Sequence, residues 1–482
     1  MKQFQIVLYF DVLALDEFGE GAITEVMDTQ EPIPPSSPQE KDLTLFVLPA
    51  SAPAEAPPPG QPRLRRAERQ QVVMHVASLD RLLSDEHRAR LVWEYVEGLD
   101  LSGVYAKIQA VEGRAGRDAI DPRILTALWL YATLEGVGSA RQLARLCEEH
   151  IAYRWICGGV SVNYHTLSDF RTAHPEVLDD LLTASVATLL HEGLVTLHRV
   201  AQDGMRVRAS AGASSFRRRP TLEDCQVQAR QQVESLRQEL QEDPGAGTRR
   251  QQAARQRAAK ERSERIAKAL SELPEIESKK KAEDKEKARA STTDPEARIM
   301  KMGDGGFRPA HNVQFATDTA SQVISGVEVV NAGSDQGQMA PMVQQHQQRY
   351  EKTPKEALVD GGFANKEDIE KLASAEVGTT VYAPVPKPKK QDRDPHQPLP
   401  GDSAAIAAWR QRMGTAAAKE IYKERASTAE CVNAISRNRG LRQFLVRGLQ
   451  KVRAVALWFA IAHNLMRAVA LRAKAAVAAV EG

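Results

Sequence analysis

IYKERASTAECVNAISRNRGLRQF, from Ile421 to Phe444, is the stretch on which the reading of this chain turns. Neither Gly nor Pro falls between Thr415 and Arg439, Thr415 suits an N-cap and Gly440 suits a stop, so one uninterrupted helix is predicted. At about 100° per residue, Tyr422, Arg425, Glu430, Asn433 and Arg437 share an arc of roughly 140°. That face sets a carboxylate among cations and a phenol. Cations alone would serve phosphates, and the embedded Glu calls for a second reason, which metal-assisted attack on a phosphodiester supplies. The plain alternative is a solvated charged helix.

Working outward, two apolar, β-branched runs each reach an Asp-Gly pair. LVTLHRVAQDGMRVRASA carries Asp203 beside Gly204, and KEALVDGGF carries Asp360 beside Gly361. Each reads as a strand that delivers its carboxylate to the strand end, where Gly relaxes the backbone. Whether the two Asp converge with Glu430 depends on the fold. Two other carboxylates compete: Asp318 is assigned to a tight turn, and Asp335 to a supporting place behind the first three.

Together these pieces resemble the DDE transposases of bacterial insertion sequences. The resemblance covers roughly Ala67 to Arg467 and rests on LVWEYVEGLDLSGVYAKI, GRDAIDPRILTALWLYATLEGVGSARQLARLCEEHIAYRWICGG, VNYHTLSDFR, AQDGMRVRASAGASSFRRR, GGFRPAHNVQFATDTASQVISGVEVVNAGSDQGQMAPM, LVDGGF and the Tyr422-Arg425-Glu430-Arg437 helix. It implies an α/β fold with an RNase H-like catalytic core, an all-α N-terminal DNA-binding domain and a helical-hairpin insertion. By this resemblance Asp203, Asp360 and Glu430 take the places of the catalytic triad. Arg437 stands where the family has Lys, which keeps the charge and changes the donor geometry.

The resemblance also implies cofactors and partners. Two Mg²⁺ ions about 3.5 to 4 Å apart, replaceable by Mn²⁺, would bind hard oxygen ligands, neutralise a phosphodiester and activate water or a 3′-hydroxyl. Asp203 would serve both ions, and Asp360 and Glu430 one each. Tyr422, Arg425 and Arg437 would hold a DNA end beside Glu430. The implied partners are double-stranded DNA, both element ends and target, and a second copy of the chain as a homo-oligomer, a dimer on DNA. The activity so implied is binding of terminal inverted repeats, strand cleavage and strand transfer. Alternatives are a related metal-dependent DNA nuclease that does not join strands, and a catalytically silent DNA-binding or assembly protein. The intact triad argues against silence.

Along the chain, residues 1–66 contain PIPPSSP and PASAPAEAPPPGQP and read as a disordered, Pro-rich extension. Residues 67–198 read as an all-helical DNA-binding domain, with amphipathic stretches such as Pro122 to Leu134 and Ser139 to Glu149. Within it, SARQLARLCEEHIAYRWICGGVSVNYHTLSDFR suggests a helix-turn-helix-like unit. His165, Thr166 and Ser168 then start the last helix, where base-reading side chains would sit. Spacing alone fits a packed three-helix unit equally well. Residues 199–216 and 296–470 form the expected catalytic domain, with a loop from Pro384 to Met413. Residues 217–295 form a charged helical hairpin, Thr221 to Leu240 and Arg249 to Leu273 around DPGAG, the second helix ending at Pro274. Its interleaved Glu residues favour a solvated face over phosphate contact. Residues 471–482 read as a C-terminal tail.

Composition agrees with this organisation. A chain of 482 residues with 42% hydrophobic content can hold two or three domains. The formal charge of +2 comes from 65 Lys and Arg against 63 Asp and Glu, so local clusters matter more than the sum. The four cysteines, Cys147, Cys157, Cys225 and Cys431, show no CxxC spacing, which implies neither a zinc site nor a disulfide framework. A reducing compartment fits, and a cytoplasmic, nucleoid-associated location with no membrane partner is expected. VRAVALWFAIAHNLMRAVAL is broken by Arg453, His463 and Arg467 and reads as a buried helix rather than a membrane span. Asp11 interrupts the apolar start from Gln5 to Leu15, which is not read as a signal peptide.

Overall fold

Helix-start chemistry shapes the first half of the chain. The computed structural model describes residue 70 and residues 76–111, 113, 117–242, 248–388 and 393–481. The expected extension over 1–66 and the DPGAG turn lie outside these residues. Seven helices come first: α1 (Arg88–Glu97), α2 (Ser102–Tyr105), α3 (Pro122–Leu134), α4 (Ala140–Glu149), α5 (Ile151–Cys157), α6 (Tyr164–Ala173) and α7 (Pro175–His191). Asp121, Ser139 and Asn163 cap α3, α4 and α6 by accepting from the N–H groups of Arg123, Gln142 and Thr166. Gly158, with φ of 58°, ends α5 in the left-handed region.

The sheet follows. Strand β1 (Arg199–Arg208) leads to a short β2 (Phe216–Arg217), then to α8 (Arg219–Glu242) and α9 (Arg249–Ser278). These two helices run antiparallel, with Arg219 paired to Glu277 and Arg255 to Glu239. At their base β2 pairs with β3 (Ala290–Ser291). Next come β4 (Arg298–Lys301), β5 (Phe307–Asp318), β6 (Ile324–Val330), α10 (Met339–Tyr350), β7 (Glu356–Leu358), α11 (Lys366–Ala373) and β8 (Thr380–Tyr382). The main sheet runs β6-β5-β1-β7-β8, with β4 beside the start of β5. Strand β5 is antiparallel to β1 and β6, whereas β7 is parallel to β1 and β8.

The chain ends in α12 (Ala404–Gly414), α13 (Ala416–Arg425), one π-turn (Ala426–Glu430), α14 (Cys431–Asn438) and α15 (Leu449–Glu481). Three expectations need correction here. The Pro384 to Met413 stretch contains α12, because Ser403 caps it and Ile406, Trp409 and Met413 bury one face. Helix α9 runs through Pro274 to Ser278, its last turn held by Arg219, which forks onto both oxygens of Glu277. Residues 471–481 are no tail but the end of α15, where Arg472 forks onto Glu192.

One hydrophobic core runs from α1, α3 and α7 through α15 to one face of β1, β5 and β6. His75 to Gly482 form a single unit, so residue 198 marks a change of secondary structure and no break in packing. By length and composition α15 could cross a membrane, but most of its apolar stretch is buried, packed chiefly against α7, β6 and α3.

Candidate active site

Strand alternation decides which carboxylates can meet. Asp203 lies in the middle of β1 rather than at its end, with pairing continuing to Arg208. It stands across from Phe315 and Val327, on the face that α13 and α15 cover. Gly204 and Arg206 project to the opposite face. There the Asp335 carboxylate accepts from Asn312 at 2.7 Å, Gln314 at 2.8 Å and Arg206 at 2.8 Å. Asp335 therefore does not support Asp203, because the sheet separates them. A side chain on Gly204 would collide with that carboxylate, so glycine is needed for close approach and not for backbone freedom. Asp318 holds its turn, accepting from the N–H groups of Leu197 and Ser321 and from the Ser321 hydroxyl.

Asp360 lies two residues past the end of β7, and β7 lies parallel beside β1. The Gly362 N–H donates to its Oδ1 at 2.8 Å. Glu430 comes from the far side of the chain. Thr415 caps the helix that carries it and Gly440, with φ of 96°, ends it. The helix is unbroken but not uniformly α. In a regular α-helix, residues five apart point about 140° away from each other. The π-turn between Arg425 and Glu430 closes that angle, and Arg425 Nη1 donates to Glu430 Oε1 at 2.7 Å.

Arg425 is the hub. Its Nη2 lies 3.4 Å from Asp203 Oδ1 and 3.9 Å from Asp360 Oδ2, so one guanidinium touches all three carboxylates. Asn433, one turn beyond Glu430, donates from Nδ2 to Asp203 Oδ2 at 2.8 Å. The Asn433 Oδ1 is buried with no hydrogen-bond partner among the described residues. Burial pushes the Asp203 carboxyl above its ordinary range and Asp360 adds to the rise, while Arg425 and Asn433 oppose it. Burial works against the Arg425 charge, yet Asp203, Glu430 and Asp360 hold its pKa above the usual value. Burial also raises the Tyr422 phenol.

Side-chain exposure grows from 17% at Asp203 through 40% at Asp360 to 57% at Glu430, so the cluster opens towards solvent on the Glu430 side. Among the described residues no three His, Cys, Asp or Glu side chains form a ready metal cage. The guanidinium occupies the centre instead. The donor set, three carboxylates with the partnerless Asn433 Oδ1 beside them, is nevertheless all hard oxygen, which suits Mg²⁺ or Mn²⁺.

The remaining sequence-derived residues lie elsewhere or further out. Arg437 is exposed on α14, without a side-chain partner among the described residues, while Tyr422 is half-buried against the core around α12 and β8. Arg425, expected at a DNA end, is engaged by the carboxylates. His165 and Ser168 are exposed and Thr166 half-buried at the start of α6, whose main packing partners, α3, α4 and α15, carry no member of the trio. Beside them Arg141 lies over the Tyr164 ring at 5.1 Å. Asn433 was visible on the helix face but received no role; its spacing of three residues from Glu430 was the signal.

Two segments of the chain match family models of known proteins. One family model, a transposase domain (DUF772), matches residues 77–173, from before α1 to the end of α6. A second, a transposase DDE domain, matches residues 396–469, which include Arg425, Glu430 and Asn433 but neither Asp. No curated protein and no solved structure matches. Both matches are to transposase models, and together they support a DDE transposase of an insertion sequence. A DDE domain implies an RNase H-like core, and the mixed sheet of three antiparallel strands followed by two parallel ones is consistent with it.

Proposed function

We propose that this transposase binds the terminal inverted repeats of its own element and then cleaves and transfers DNA strands, using Asp203, Asp360 and Glu430 to hold two divalent ions. One observation carries the reading: carboxylates from the middle of β1, the segment just past β7 and the π-turn meet around a single guanidinium. Asp203 would serve both ions, Asp360 and Glu430 one each. When bound, Mg²⁺ or Mn²⁺ would neutralise the phosphodiester oxygens and activate the attacking hydroxyl.

The chain's own groups supply the rest. The exposed Glu430 side leaves room for a duplex end, and the partnerless Arg437 offers it a phosphate contact. Tyr422 lines the same helix. His165, Thr166 and Ser168 are proposed to read bases, with residues 67–198 as the DNA-binding region, residues 217–295 as an insertion and a dimer as the working form on DNA.

The deciding experiment gives purified protein DNA that contains the element ends, with Mg²⁺. Joined products are expected. Cleavage without joining would make the protein a nuclease, and binding with neither product would make it an assembly protein. Asp203→Ala, Asp360→Ala and Glu430→Ala should each abolish cleavage while sparing the gel shift. Near-normal cleavage by one of them would remove that residue from the site.

A further inference from the structure

We infer that Arg425 is the resident cation of the carboxylate cluster: its guanidinium holds Asp203, Asp360 and Glu430 together and must leave the centre before divalent ions can bind there. This rests on the reading of the cluster as a metal site.

Three carboxylates brought to one place repel each other, most strongly where water is scarce. The Asp203 and Arg425 side chains are only 17% and 11% exposed, so solvent screens them poorly. Some cation must balance the cluster in the metal-free chain, and Arg425 is the group in contact with all three. Its grip is uneven. The Glu430 bond, at 2.7 Å, has the length of a charge-assisted hydrogen bond, whereas the bond to Asp203 is stretched to 3.4 Å and Asp360, at 3.9 Å, is approached without one. One nitrogen, Nη2, is shared between the two Asp, whose carboxylates would help to hold the ions.

Two further observations make this position replaceable. The Arg425 Nε is buried without a hydrogen-bond partner among the described residues, so of these the carboxylates alone hold the head group at the centre by hydrogen bonds or ion pairs. Glu430, its firmest partner, is the most exposed of the three, which gives the guanidinium a solvent-facing way out along that side. Asp203 would not be released with it, because Asn433 and the Gly204 N–H hold it independently. Arg425 and divalent ions are therefore competitors for the same carboxylates.

The experiment is calorimetric titration of the DNA-free full-length chain with Mn²⁺ and Ca²⁺, for wild type, Arg425→Gln, Arg425→Lys and Asp203→Ala, with Tm measured in EDTA and at saturating Mn²⁺. Arg425→Gln should bind Mn²⁺ at least tenfold more tightly, melt lower in EDTA and recover with Mn²⁺. Arg425→Lys, whose compact ammonium cannot span three carboxylates, should lie between. If Arg425→Gln is soluble only with Mn²⁺, the Lys variant carries the comparison, and that rescue itself agrees with competition. Unchanged or weaker Mn²⁺ affinity in both Arg425 variants would overturn the inference while leaving the metal site intact. Wild-type binding that is absent, or indifferent to Asp203→Ala, would overturn the metal-site reading as well.

Discussion

Asn433 shows how much of a site can rest on a residue with no reaction of its own. Its amide fixes one oxygen of Asp203 and its other atom is left buried and unpartnered, so Asn433→Ala should loosen Asp203 without exposing new charge. Cleavage should fall about 10- to 100-fold, as when an outer partner of a metal ligand is lost, with a weaker Mn²⁺ affinity. If affinity held and only Tm dropped, Asn433 would be a packing residue. Gly204→Ala should cost about 1–3 kcal/mol in urea unfolding, because its methyl would meet Asp335 in a filled space. Full stability in that variant would mean the strand can shift aside. Two buried histidines add a pH dependence. Burial lowers His346 and His463 from 6.5 to about 4, so the folded chain keeps them neutral where the unfolded chain protonates them. Stability should be fully present above about pH 6.5 and be lost as pH falls towards 4, by on the order of 3 kcal/mol for each histidine. Urea midpoints for wild type and His346→Gln at pH 7 and pH 4.5 test this, and an unchanged slope in the variant would contradict it. The acidic trio could be read from sequence because each member sits beside a local marker, an Asp-Gly or a helical face. The place of Asp335 could not, since it depends on strand alternation and on a loop that returns from β6.

Elements were legible where their signals are local. Pro122 to Leu134 was read with the boundaries that α3 has, from its capping Asp121, N1 proline and unbroken apolar run. Helix α12 hid in a Pro-rich and charged stretch, although its period of Ile406, Trp409 and Met413 was there to be counted. Strand β4 is four residues at a sheet edge and leaves little pattern. The π-turn left none at all, since nothing in ASTAE distinguishes a closure over five residues from one over four. Its consequence can be tested. Deleting Ser427 should let the segment close as a regular α-helix with Arg425 and Glu430 four residues and about 40° apart, still on one face. The Arg425 to Glu430 ion pair and Mn²⁺ binding should then survive, with helical circular dichroism unchanged. Loss of Mn²⁺ affinity would mean that the wider closure of the π-turn itself, and not only the shared face, assembles the carboxylates.

On the scale of the whole molecule, the division into a helical domain and a catalytic domain was inferred from a change of pattern, and patterns do not reveal shared cores. Helix α15 joins the two parts: Trp458 donates to the Arg171 carbonyl on α6, and Asn464 exchanges hydrogen bonds with the Ile324 backbone on β6. A single carboxylate adds a polar tie. Asp179 on α7 accepts from Arg349 on α10 at 2.5 Å and from Arg453 on α15 at 2.8 Å. Because one core serves both parts, helical circular dichroism and tryptophan fluorescence should report the same unfolding midpoint in urea. Asp179→Ala should lower that midpoint, since it leaves two cations facing each other and Arg349 is only 7% exposed. The loss should be about 3 kcal/mol, the scale for removing one partner of a buried ion pair. The two probes should still coincide in the variant. Separate midpoints in the wild-type protein would show that residue 198 divides two independently stable units after all, and coincident midpoints with no loss in Asp179→Ala would reduce the tie to a surface contact.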